Sequence, residues 1–128
     1  MKVEVSIGEL LDKLSILEIK SLRIEEVDKL DNITKELETL NPSYIELIEE
    51  FGHPLKDLFL KLSEVNQELW FMEDAIRACE QSKKFNDEFI TIARSVYIEN
   101  DKRAAIKKQI NKLTGSMLVE EKSYKSYE

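Results

Sequence analysis

The chain has 128 residues, enough for one domain whose core needs no metal or disulfide staple. Its 42% hydrophobic and 35% charged residues suit a helical globular protein and exclude a disordered one. A net charge of -7 repels phosphates, so neither nucleic acid nor an anionic membrane is an expected partner.

Three glycines and two prolines leave few turns, which favours long helices with short connections. The first element opens at Ser6-Ile7-Gly8-Glu9, which has the spacing of a capping box. Ile7, Leu10, Leu11, Leu14, Leu17, Leu22 and Ile24 then recur with helical period, so a helix is expected over 6–26. Val3 and Val5 alternate for too short a distance to make a sheet. A second helix is expected over 28–40 from Leu30, Ile33, Leu37 and Leu40. The pattern does not decide whether the chain bends near Glu25 to Asp28 or runs straight through.

Asn41-Pro42 reads as a restart, with Asn as cap and Pro at the first helical position, opening a short helix over 42–51 that Gly52 ends. From His53-Pro54 the longest element is expected, over 54–82. Its apolar residues Leu55, Leu58, Leu62, Val65, Leu69, Met72, Ile76 and Cys79 alternate spacings of three and four, a coiled-coil seam. Cys79 on that seam reads as a buried structural thiol. Being the only cysteine, it excludes an internal disulfide and a multi-cysteine zinc site. The last helix is expected over 87–113, capped by Asn86 or Asp87 and ended by Thr114-Gly115. Its apolar face carries Phe89, Ile92, Ala93, Val96, Ile106, Ile110 and Leu113. Lys107, Lys108 and Lys112 read as one exposed face. A tail over 116–128 carries Met117-Leu118-Val119, Tyr124 and Tyr127.

These elements make a single all-α domain, an antiparallel bundle of about four helices around a long coiled-coil-like helix. No apolar run reaches the roughly 18 residues that span a bilayer, and the first residues lack the apolar stretch of a secretion signal. The expected location is the cytoplasm.

Polar residues inside apolar sectors carry the functional signal, because burial is costly unless they are paired. Glu18 projects between Leu11 and Leu22 on the first helix, bordered by Ser15 and Ser21. On the long helix Asn66, Trp70, Glu73, Arg77 and Glu80 run beside the seam. On the last helix Asn100 and Arg103 interrupt the apolar sector, with Arg94 and Tyr97 at its edge. Glu18, Asn66, Glu73, Arg77, Arg94, Asn100 and Arg103 are therefore expected to meet in one semi-buried cluster. Such a cluster can fix helix register, or its arginines can hold an anionic ligand. Glu73 and Arg77, at i and i+4, can also pair locally. No glycine-rich phosphate loop, nucleophile elbow or metal-ligand spacing is present, so no cofactor and no metal are expected.

Several segments resemble a bacterial and phage family known only as a domain of unknown function. They are Val5-Ser6-Ile7-Gly8-Glu9-Leu10-Leu11-Asp12-Lys13-Leu14-Ser15-Ile16-Leu17-Glu18-Ile19-Lys20, Val65-Asn66 to Leu69-Trp70 with Glu73-Asp74, Phe89-Ile90 to Asn100-Asp101, and Gly115-Ser116 to Ser123-Tyr124. The resemblance transfers no catalytic residue. It implies a setting among glycosyltransferases and cell-surface polysaccharide enzymes, and a tail that docks on the bundle.

Two functions stay open on the sequence. One is a non-catalytic module that binds another protein or itself, as a homodimer, through an apolar helix face. The other is a small helical enzyme or binding protein for an anionic or phosphorylated compound, such as a nucleotide or sugar nucleotide.

Overall fold

The computed structural model describes residues 1–116, 118, 121–123 and 125–127. Four helices make up the described fold: α1 (Ile7–Arg23), α2 (Val27–Phe51), α3 (His53–Gln81) and α4 (Asp87–Thr114). α1 packs on each of the other three, α2 on α1 and α3, and α3 along α4. None of them is long and apolar enough to cross a membrane.

Local chemistry sets most boundaries. Ser6 caps α1, its hydroxyl accepting from the Glu9 amide at 3.1 Å. Only half of the expected capping box forms, because the Glu9 carboxylate turns to Lys107 instead. Ile24 takes an extended conformation (ψ 133°), so the chain breaks between α1 and α2 rather than running through. Gly52 ends α2 and caps α3 at φ 67°, ψ -148°, a conformation that a side chain would strain. Asn86, one of the two caps the sequence allows, caps α4 through the Phe89 amide, and left-handed Gly115 ends it as the sequence predicts.

The expected restart at Asn41-Pro42 does not occur, since α2 continues through Pro42. A mid-helix proline removes one hydrogen bond and costs about 3 kcal/mol. Leu37 and Leu40 before it, and Tyr44, Leu47, Ile48 and Phe51 after it, all pack on the same core. Full burial of such a side chain contributes roughly 1.5–3 kcal/mol, so even the partial cover of these six outweighs one missing bond.

The core consists of Leu11, Leu14, Leu55, Phe59, Leu62 and Ile110. Leu22, counted with the same periodic stripe, is instead 82% exposed. The long seam divides in two. Up to Val65, sealed Leu55 and Leu62 alternate with partly covered Leu58 and Val65, whereas beyond it Leu69, Met72, Ile76 and Cys79 are all only partly covered. Cys79 is thus not a buried thiol. No residue between Asn66 and Lys107 is buried, so the distal halves of α3 and α4 form a two-helix arm projecting from a four-helix base.

Candidate functional site

The polar cluster that the fold builds lies where the arm leaves the base, and its centre is Asp12. Gly8, Asp12, Ser15 and Ile19 recur every three or four residues, so they form one stripe of α1, and all four are buried. Asp12 is 2% exposed. The guanidinium of Arg103 grips its carboxylate in a two-point fork, Nε to Oδ1 at 2.9 Å and Nη2 to Oδ2. Asn66 donates both amide hydrogens, to Asp12 Oδ1 at 2.9 Å and to Ser15 Oγ at 2.6 Å. Ser15 in turn donates to the Asp12 carbonyl at 2.8 Å. Lys107 Nζ lies 3.9 Å from Asp12 Oδ2 and 2.7 Å from Glu9 Oε2.

Burial by itself pushes the Asp12 carboxyl upward. Hydrogen bonds from Arg103 and Asn66, with the charges of Arg103 and Lys107, more than offset it and hold the group below its ordinary value. A carboxylate with both oxygens engaged and a depressed pKa is a poor base near neutral pH.

Next to this network, α1 and α4 meet end to end. The Gly8 amide donates to Asn111 Oδ1 at 2.7 Å and the Ile7 amide to Ser116 Oγ at 3.2 Å. With the Ser6 bonds to Glu9 and Leu10, every first-turn amide of α1 is satisfied. A Cβ on Gly8 would lie 2.7 Å from the Lys107 carbonyl, so only glycine permits this approach.

Of the seven residues expected to cluster, Asn66, Asn100 and Arg103 are brought together; Asn100 accepts from Arg103 Nη1 at 3.5 Å. Glu73 and Arg77 pair with each other at 3.2 Å on the exposed face of α3 and only rim the site. Arg94 is exposed, and its side chain enters no hydrogen bond or ion pair among the described residues. Glu18 also stands apart. Partial desolvation raises its pKa, and its charge, after burial itself, helps to raise that of Tyr44. Lys107 corrects the reading of an exposed lysine face, being 8% exposed and ion-paired. Asp12, Glu9 and Asn111 were not anticipated. The stripe Gly8-Asp12-Ser15-Ile19 was the available signal, since a glycine, an acid and a serine in helical register with an isoleucine mark a close polar contact.

Two clefts flank Arg103. One of about 390 Å³ is walled by Ile16, Leu69 and Trp70, with Glu73, Asp74 and Arg77 around it. The other, about 280 Å³, opens beside Glu9, Lys13, Lys20 and Glu36. Among the described residues no group of three His, Cys, Asp or Glu side chains is placed to hold a metal ion. Described parts of the tail touch α4, through Glu121 to Lys108 at 2.8 Å and Tyr127 edge-on to Tyr97 at 5.3 Å. The docking expected of Met117, Val119, Glu120 and Tyr124 falls outside the described residues.

The chain belongs to a family of unknown function, DUF6165, whose match covers residues 1–127. No curated protein and no solved structure matches it.

Proposed function

We propose that this member of a family without an assigned activity is a non-catalytic interaction module whose working surface is the α3–α4 arm. One observation carries the reading. The apolar seam continues past Asn66 at unchanged spacing, yet nothing between Asn66 and Lys107 is buried. Phe71, Phe85, Ile90 and Tyr97 are exposed on the same arm. Several large apolar side chains left exposed on one part of a fold suit a binding face.

The Asp12 network serves this reading as a clasp between base and arm. It joins α1, α3 and α4 through groups that satisfy one another, and Arg103 meets a carboxylate of its own chain rather than presenting an open fork to an anion. Buried charge pairs of this kind fix the relative placement of helices more than they add stability.

Two measurements test the proposal. Thermal unfolding in the presence of nucleotides, sugar nucleotides and inorganic phosphate is expected to show no shift. A ligand at a hundred times its dissociation constant would add about 2.7 kcal/mol. Such a shift, lost in Arg77→Ala, would replace the interaction reading with the anion-binding one. In cells, a photo-crosslinking residue at Phe85 or Ile90 is expected to give a discrete adduct, and one at Lys56 on the base none. Absence of adducts from both arm positions would sink the proposal.

A further inference from the structure

The cleft of about 390 Å³ at the root of the arm has a floor, walls and a rim of different chemistry. Its floor is Asn66, which is 5% exposed. The amide nitrogen of Asn66 is turned to α1 and gives its hydrogens to Asp12 and Ser15. The carbonyl oxygen of that planar amide therefore points elsewhere, and no described residue donates to it. It is not sealed in, since Ser63 Oγ is the only fully enclosed side-chain oxygen or nitrogen without a partner among the described residues. Asn66 lines the cleft, so this acceptor opens onto it. Side chains so deeply buried rarely leave an acceptor unused, and here the cleft leaves room for a donor.

Above the floor the walls are apolar. Ile16 of α1 and Leu69 and Trp70 of α3 are each half-buried. Trp70 follows Asn66 by four residues and stands one turn along the same stripe. Its ring has no aromatic or cationic partner among the described residues. At the rim the charges are unequal. Arg103 forks Asp12 and Arg77 pairs with Glu73, so each arginine already faces an acid. Asp74, exposed at the mouth, enters no hydrogen bond or ion pair among the described residues. One negative charge is left over, and it lies at the opening.

We propose that this cleft binds an aromatic amine whose ring carries a neutral hydrogen-bond donor. The donor reaches Asn66 Oδ1, the ring lies on Trp70 and Leu69, and the protonated amine meets Asp74. The order of these groups selects the ligand. A cation on the floor would sit beside Arg103, which shares Asp12 Oδ1 with Asn66, so the floor takes a neutral group. An anion is refused by the unpaired carboxylate at the mouth. Asp74 follows Asn66 by eight residues, roughly 12 Å along α3. A phenol joined to an amine by two carbons spans roughly 8 Å, and a hydrogen bond of about 2.9 Å at each end lets it bridge that gap.

Tyramine is the probe, and Trp70, the only tryptophan of the chain, reads its occupancy by fluorescence. Titration of the full chain is expected to change the Trp70 emission saturably, with half-saturation at roughly 0.1–1 mM for a ligand of about ten non-hydrogen atoms. Phenethylamine, which lacks the hydroxyl, is expected to bind at least fivefold more weakly. The compound 3-(4-hydroxyphenyl)propionate, with a carboxylate in place of the amine, is expected not to bind. Asp74→Lys, at an exposed helical position, is expected to keep the unfolding midpoint and to weaken tyramine at least tenfold. No saturable change at ten times that concentration range overturns the proposal. Equal binding of tyramine and phenethylamine also overturns it, as does equal binding of tyramine to the parent and Asp74→Lys chains.

Discussion

The base and the arm are built on the same two long helices and the same apolar spacing, yet they differ in what holds them. In the base, α1 and α2 cover the seam, so Leu55 and Leu62 vanish from solvent and Asn66 ends the sealed stretch. In the arm α1 reaches only as far as Leu69 and Phe71, through Ile16 and Arg23, and Met72, Ile76 and Cys79 keep part of their surface in water. A heptad pattern specifies a face that needs covering, and the number of elements available decides how far it is covered. Charges follow the same division. Those of the base are interlocked across three helices around Asp12, whereas the arm carries local pairs, Glu73 with Arg77, Glu80 with Lys83 and Glu99 with Lys102.

The largest expected break in this comparison comes from Asp12→Ala. It leaves Arg103 and Lys107 without the carboxylate between them and costs about 3–5 kcal/mol, read by chemical denaturation. The linked pH effect has a definite sign. Because the folded pKa of Asp12 lies below the unfolded one, the unfolded chain takes up the proton first. The stability that Asp12 contributes is present above the ordinary carboxylate range and drains away as pH falls below about 4. Asp12→Asn should flatten that acid limb; an unchanged limb would show that Asp12 is not the group responsible.

Next in size is a pair of truncations on one seam. Leu62→Ala removes a sealed side chain and should cost about 2–5 kcal/mol, while Ile76→Ala in the arm should cost less than half as much. Equal losses would mean that the arm is as tightly held as the base. Gly8→Ala follows, at about 1–3 kcal/mol, because its new methyl must push on the Lys107 backbone. Smallest is Arg77→Ala, whose exposed i,i+4 pair is worth about 0.3–0.5 kcal/mol at most and should leave the midpoint nearly unchanged.

How much was legible in advance varies between regions. Helix existence and most ends could be read because caps and periodicity act within a turn or two. Ser6, Gly52, Asn86 and Gly115 each did what their chemistry predicts. Pro42 misled because the local cost it carries was set against burial by residues up to nine positions away. At the site, Asn66 and Arg103 were legible as polar groups on apolar faces. Asp12 was not, because it follows Leu11 and a single helix does not reveal which of two adjacent stripes a third helix will cover. Glu18 was overvalued because its supposed neighbour Leu22 faces solvent rather than the core.

By itself, then, the sequence determined the helical class, the caps and the seam, since these depend on backbone propensity and on spacings of three and four. Only the tertiary structure decided that Asp12 meets Arg103 across 91 positions of chain, that Lys107 is enclosed, and that the seam divides into a sealed base and an open arm. Those outcomes depend on where α1 ends against α3 and α4. Relative helix placement is a property of the whole packed core, and no local pattern encodes it.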